Sequence, residues 1–551
     1  MAKRRSTPRS KSGCRTCKIR RVKCDEQQPA CRRCTDTGRT CDGYGVWGQS
    51  RPKTLTACLV YPPQTLPGLA QDERRYLDRF RVLLTDKLTR PFGSRFWSSL
   101  VLQMSQSEPA VLHASIALTS AYDAFAPAQI QDTVSSITPT PFLLRQYNRA
   151  IQALVSNASL NDAVSVRVAA VSCILFICLE ILRGDVNAME VHFASGIKLL
   201  HQLQEQNRRL KTMDDKVLVK HTPEVFDDHL VDVFARLNLQ FLMLGHGSQQ
   251  KDAFVPSFQY GRGSHLARRF CSVEEARQSI IPTLLAIVYL VKEIERVTLT
   301  SSIQPPPLTA AMFEKREALQ AAIDDWIASY NHSFTSNSAS TPSLGRLGLL
   351  MLRTYADVAT ILLDTCTSVK ETAYDVHQAA FERIIARYRN IHSTDYPLAS
   401  DTCESDPTFM IDMGLFPPLY FTALKCRNHQ TRHEALSILR QYVHMEGPWT
   451  GPMLARVAGH AVYLEERQFE AELAKTVSEA VVLPEFCRLH CAECHLPDRR
   501  DQGSNTASLI LRRFRHELGN KGGWEVESCT VDLSSSSSSP STASTMTFWC
   551  E

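Results

Sequence analysis

The 551-residue chain has little of what an enzyme needs. It contains no G-x-S-x-G elbow, no P-loop and no H-E-x-x-H pair, and GHGS at 245–248 and GRGSH at 261–265 lack the spacing those chemistries require. Long apolar runs are missing too. The most apolar stretch, VAAVSCILFICLEIL at 168–182, falls short of the about 20 residues of a membrane span and is interrupted by Glu180, so it is expected to be a buried core helix. The opening segment MAKRRSTPRSKSG carries no apolar run behind its basic residues. It reads as a nuclear address rather than a secretory signal or membrane anchor. Without an export signal, the 18 cysteines are expected to be reduced rather than paired as disulfides.

Charge of one sign is concentrated at one end. Residues 1–55 hold 15 Lys and Arg against 4 Asp and Glu, whereas the other 496 residues hold 47 against 53. A basic head on a nearly neutral body is the distribution expected of a nucleic-acid binder, and at this length two or more structural units are expected.

Six of the cysteines fall in that head. Cys14, Cys17 and Cys24 are separated by three and seven residues, and Cys31, Cys34 and Cys41 repeat the same gaps 17 residues later. A duplicated spacing suggests a pseudo-two-fold metal site. Two tetrahedral zinc ions need eight ligand bonds, and six thiolates supply eight when two of them bridge. Pseudo-symmetry nominates the first cysteine of each half, Cys14 and Cys31, as the bridges. A disulfide knot and a different zinc ribbon are the competing arrangements. A segment of about 30 residues cannot bury a sufficient core, so metal binding has to supply its folding free energy.

The stretch CRTCKIRRVKCDEQQPACRRCTDTGRTC, with Pro29 two residues before the fourth cysteine, resembles the fungal binuclear zinc-cluster DNA-binding domain. The resemblance implies two Zn ions held by Cys14, Cys17, Cys24, Cys31, Cys34 and Cys41, two short helices, and a basic helix entering the major groove of double-stranded DNA. It places the base-reading pair at Arg20 and Arg21, where the family more often has lysine. Arginine forks onto O6 and N7 of guanine, which suits the family's CGG-type triplets. Lys18, Lys23, Arg15, Arg32 and Arg33 are expected on phosphates. Six thiolates and two Zn ions sum to a negative charge, so these cations must carry the attraction for DNA.

Residues 42–70 hold several glycines and prolines and no apolar heptad, so they read as a flexible linker rather than the coiled coil many such proteins carry. GYGVWG at 43–48 matches G-x-G-x-x-G without a surrounding strand-to-helix turn, and no dinucleotide site is expected there.

From about residue 71 the apolar spacing turns helical. Tyr76, Leu77, Phe80, Leu84 and Leu88 share one face, and similar periodicity runs through Val111 to Phe125, Phe142 to Val155, Val273 to Val297, Leu347 to Leu363 and Ala373 to Tyr388. Ser272 and Glu275 form a candidate capping box. Strand patterns are scarce, so the fold class expected is a small zinc-stabilised module followed by a large all-α domain and a disordered tail. The divisions expected are a basic arm 1–11, cluster 12–43, linker 44–70, body 71–520 and Ser-rich tail 521–551.

The body resembles the fungal-specific transcription-factor regulatory domain through ERRYLDRF at 73–80, FWSSLVLQ at 96–103, EILRGD at 180–185, VFARLNLQ at 233–240 and GLFPPLYFTALKCRNHQTRHEALSIL at 414–439, continued by EGPW at 446–449. The resemblance implies a nuclear, non-enzymatic regulator of RNA polymerase II promoters. Its partners would be DNA and the transcription machinery or co-regulators, with a homodimer and a small-molecule effector as further expectations and no membrane. Control of a specialised-metabolite gene cluster is the first biological expectation, nutrient catabolism the alternative, and a non-specific chromatin binder the competing class. His192 with Gly196, and Cys426 with Arg427, are expected to be packing residues. CRLHCAECH at 487–495 offers five metal donors, but C-x-x-C without a second pair is weak and the segment is expected to be helical.

Overall fold

The computed structural model describes residues 13–27, 30–39, 41, 68–129, 139–156, 162–206, 216–245, 253–256, 269–299, 307–334, 343–393, 409–442, 444–473, 483–497, 506–515, 523–533 and 546–549. The chain divides into two compact units, Met1–Gly68 and Leu69–Glu551. The linker 42–67, the GYGVWG motif, Pro29, the basic arm 1–11 and the serine run lie outside the described residues.

The body is largely helical. Its most apolar helix, Ala163–Arg183, packs against Pro109–Gln129 and Val186–Gln206, and every residue from Ala170 to Leu182 is buried. Being surrounded explains why this segment is apolar on all faces, which length and composition alone would also allow in a membrane helix. Its ends are set locally. Asp162 caps the start by accepting from Ser165 N at 3.2 Å, and Gly184 takes φ 72° at the end, the left-handed position that favours glycine. Asp185 then accepts from Ala188 N at 2.8 Å and starts the next helix. EILRGD is therefore a helix stop followed directly by a helix start.

Other motif residues resolve into packing in the same way. A Cβ on Gly196 would lie 2.2 Å from the Phe234 ring, so the expected helix contact is a close one, and His192 Nε2 meets the Tyr147 hydroxyl at 3.1 Å. The capping device at Ser272 is present but stepped by one residue. Ser272 Oγ accepts from Glu275 N, while Glu275 Oε2 accepts from Cys271 N. GLFPPLY and EGPW meet in space. The Glu446 carboxylate accepts from Leu415 N at 2.6 Å and Phe416 N at 3.0 Å, capping the helix Phe416–Lys425, whose first turn tolerates Pro417 and Pro418 because those amides need no intrahelical partner. Gly414 is required there, since a Cβ would fall 1.8 Å from Glu446 Oε2.

Arg427 and Arg432 pair with the buried Glu465, as the structural reading of Cys426 and Arg427 anticipates. Burial pushes the Glu465 carboxyl up, but the two guanidinium groups outweigh it and hold the group down at about 2.

The body is helical in the main, as expected, but its described residues also form three sheets, two of them small. The body ends in a four-stranded antiparallel sheet ordered Cys491–His495, Thr506–Arg515, Gly523–Asp532, Met546–Trp549. Residues 491–495, expected to be helical, are its first strand, and the tail expected from 521 contributes its third. The physical reason is non-local. Ala507, Leu509, Leu511, Cys529 and Val531 are buried, and this alternate-residue face becomes a core only when the strands pair and cover it.

Candidate metal centre

Two short helices carry the head, α1 (Arg15–Ile19) and α2 (Arg32–Thr35). Cys14 is the N-cap of α1 and its sulfur accepts from Cys17 N at 3.4 Å; Cys31 is the N-cap of α2. The sequence repeat thus becomes a structural repeat in which each half begins with a cysteine at a helix start.

The sulfurs converge. Cys14 and Cys31 Sγ lie 3.6 Å apart, Cys14 and Cys34 3.8 Å, and Cys17 and Cys31 3.6 Å. These separations are far longer than a disulfide bond, and the 14 cysteines whose side chains are described are free thiols. They match the ~3.8 Å edge of a tetrahedron with ~2.3 Å zinc–sulfur bonds. Two quartets have all four sulfurs within 4.8 Å of one another, Cys14, Cys17, Cys24, Cys31 and Cys14, Cys31, Cys34, Cys41. Cys14 and Cys31 belong to both, the sharing that counting bonds to six cysteines requires.

The protonation chemistry of the thiols fits a cation. Burial raises the pKa of Cys14, Cys17 and Cys31, so these three thiols alone would resist ionisation. Burial also acts upward on Cys24, but N–H donors from Cys14 and Glu26, each 3.4 Å away, bring it down to about 7. A bound dication reverses the remaining penalty, because ligation deprotonates thiols outright.

Two further contacts join the halves. The Asp25 carboxylate accepts from Arg32 N at 3.0 Å and Arg33 N at 3.2 Å, so a residue of the first half caps the helix of the second. Desolvation pushes the Asp25 carboxyl up, and the hydrogen bonds it accepts, those from the Arg32 and Arg33 amides foremost, outweigh it and leave the group below its ordinary value. Arg20 donates to Thr37 Oγ1 at 3.1 Å and to the Arg33 carbonyl at 3.4 Å. Spacing alone does not reveal either bond.

The cations divide accordingly. Lys18, Arg21 and Lys23 are exposed between the buried Cys17 and Cys24, and Arg32 and Arg33 are exposed on α2. Arg15 opens α1, and its side chain lies outside the described residues. Arg20 is only partly exposed and leans on the second half. Arg21 lies just beyond α1 with φ 57°, and Val22 N returns to the Cys17 carbonyl at 3.1 Å to close the turn. In the second half Gly38 takes φ 63° and Arg39 N returns to the Cys34 carbonyl at 3.0 Å.

Residues 12–46 match the fungal Zn(2)-Cys(6) binuclear cluster domain. This segment is a fungal zinc-cluster domain. Its cofactor is zinc, two ions for six cysteines, which when bound fix the fold of the head. The zinc-cluster chain is similar at 24% identity, over 92% of its length and 94% of the relative's, to the aspercryptin biosynthesis cluster-specific transcription regulator atnN of Emericella nidulans. Transcription regulator lscL of Purpureocillium lilacinum is 29% identical over 36% of this chain and 50% of its own. Transcriptional regulatory protein moc3 of Schizosaccharomyces pombe is 58% identical over 36 residues, 6% of this chain and 7% of its own. No solved structure matches. The matched segment is a zinc-cluster domain of the kind that binds DNA, and the relatives carry the names of transcription regulators.

Of the donors at 487–495, the side chain of Cys491 lies outside the described residues, and the others form no metal-holding group among the described residues. Cys494 turns into the sheet core near Cys529, His495 faces outward, and Cys487 is buried on a separate 3-10 turn. Among the described residues the further donor group is His429, His433 and Glu466 on the surface, where both imidazoles already hydrogen-bond the carboxylate at 3.1–3.2 Å.

Proposed function

We propose that the chain is a nuclear, sequence-specific regulator that reads CGG-type triplets and controls a specialised-metabolite gene cluster. The observation that carries the reading role is the exposed run Lys18, Arg21 and Lys23 between two buried cysteines. Cys14 and Cys31 bridge the metals, and Cys17, Cys24, Cys34 and Cys41 complete the two sites. Arg21, at the apex of the turn, forks onto guanine. Lys18, Lys23, Arg15, Arg32 and Arg33 hold phosphates, and Arg20, bonded to Thr37, braces the basic tip against the second half. The pathway rests on similarity along nearly the whole chain to a regulator named for a biosynthesis cluster.

A binding selection on random duplexes with the zinc-loaded full chain tests the reading. A GC-rich triplet should be enriched, with affinity at least about 10³-fold above random DNA. No enriched triplet, combined with a steep salt dependence, would instead identify a non-specific binder. Transcript profiling after deletion of the gene tests the pathway: loss of a contiguous biosynthetic cluster supports it, and a change confined to catabolic genes supports the alternative.

A further inference from the structure

A cavity of about 190 Å³ opens in the body where the helices Val273–Leu299, Ser343–Thr365 and Phe416–Lys425 meet the 3-10 turn Glu371–His377 and the terminal sheet. Its wall is mainly apolar, with Val288, Val291, Ile294, Leu362, Phe421 and Leu424 contributing. Close-packed interiors keep few voids larger than a water molecule, and an apolar cavity of ~150 Å³ takes up benzene. The space therefore suits one ring with a short substituent.

Lys425 breaks the apolar lining. Its side chain is 16% exposed, and its Nζ donates to Glu371 Oε1 and to the His490 carbonyl, both at 2.8 Å, with the Tyr374 ring centroid 5.1 Å away. An ammonium has three N–H donors. Among the described residues, the third has no hydrogen-bond acceptor beyond that ring face. The charges around it are matched: Glu371 serves Lys425 and Arg427, Glu465 serves Arg427 and Arg432, and Glu466 lies 3.8 Å from Arg432. A matched cluster favours a neutral acceptor over another carboxylate, because a further buried charge would lack a counter-ion.

We propose that this cavity binds an uncharged, largely apolar small molecule of one ring whose carbonyl or hydroxyl oxygen accepts a hydrogen bond from Lys425. The site is independent of how the head reads DNA. It joins the helical body to the terminal sheet, since His490 immediately precedes the first strand and Trp524 of the third strand lines the wall. Occupancy stabilises that junction by mass action.

Acetophenone and α-methylstyrene share a shape but differ in a carbonyl oxygen against a methylene, and both are titrated into the zinc-loaded full chain by ligand-observed NMR and thermal shift. Acetophenone should saturate at one per chain and bind on the order of tenfold tighter than α-methylstyrene, the gain expected of one hydrogen bond to a charged donor. Lys425→Met should shrink that preference to within about twofold. Because this substitution leaves Glu371 with fewer partners and can destabilise the body, Val291→Phe serves as a second variant. It fills the cavity, keeps Lys425 and should weaken both probes about tenfold. Equal binding of the two probes, binding that does not saturate at one per chain, or a Val291→Phe protein that binds both unchanged would each overturn the proposal.

Discussion

The two halves of the zinc-cluster head make the same turn with different residues. After each helix the chain enters the left-handed region, at Gly38 in the second half and at Arg21 in the first, 17 residues apart as the cysteines are. Glycine occupies such a position freely, whereas a residue with a side chain there costs roughly 1–3 kcal/mol. The half that carries Lys18, Arg21 and Lys23 accepts this cost and the other does not. The difference teaches that folding alone does not select Arg21. A side chain at the apex of the basic turn is retained despite the backbone, which is what a base-reading group would require. Position 20 and its counterpart 37 differ as well, and there Arg20 and Thr37 bond each other across the repeat.

The widest break in this comparison comes from the metal, on which both halves depend. Chelating zinc should remove a contribution on the order of 10 kcal/mol from the head and abolish DNA binding. The far-ultraviolet circular dichroism of the helical body should be nearly unchanged. Cys31→Ser should lower bound zinc from two ions toward none, since this sulfur belongs to both quartets, and elemental analysis of the purified protein reads the outcome. Retention of two ions would remove the bridging role.

Acid separates head from body. Protonation of the thiolates should release zinc first as pH falls. In the body, Glu465 stands at about 2 against an ordinary 4.5 because Arg427 and Arg432 outweigh its burial. A depressed folded pKa gives stability that is fully present above about 4.5 and is lost as pH falls toward 2. DNA binding should therefore fail at a higher pH than the body's helical signal in a parallel titration.

Two exchanges at the turn sharpen the contrast between the halves. Arg21→Gly relieves the left-handed strain, so the zinc-loaded head should be as stable or more so, while discrimination at one base step falls by about 1–3 kcal/mol. Gly38→Arg should destabilise the head by about 1–2 kcal/mol without adding a base preference. An Arg21→Gly protein that keeps full discrimination would remove the reading role. The smallest effect is expected from Lys23→Ala, which should weaken binding to all sequences alike and reduce the salt slope by about one.

The sequence made the head legible because its chemistry is local. Six cysteines at duplicated gaps restrict the ways of completing two tetrahedra: counting bonds asks for two bridges, and pseudo-symmetry nominates Cys14 and Cys31. The Asp25 cap and the Arg20–Thr37 bond were not legible, because each acts across the repeat on a partner that only the folded cluster brings near, and Arg20 is expected from the resemblance only as a base reader. In the body, helices such as Val273–Leu299 were visible from their period. GLFPPLY and EGPW stood out as patterns, yet the reason for them, a carboxylate capping a helix start beside a glycine, exists only in three dimensions. The terminal sheet was missed for a related reason. Ala507, Leu509 and Leu511 alternate over a short span beside charged residues, and such a pattern acquires meaning only once Gly523–Asp532 lies alongside.

The Asp25 cap makes each seventeen-residue repeat an unfinished object. The first half supplies the carboxylate that starts the helix of the second, and the second supplies the hydroxyl that steadies Arg20 of the first. A chimera grafting one repeat from a relative would have to import the matching cap and hydroxyl with it. The heritable unit of this DNA-binding head is thus the pair of repeats, and protein engineers should transplant it whole.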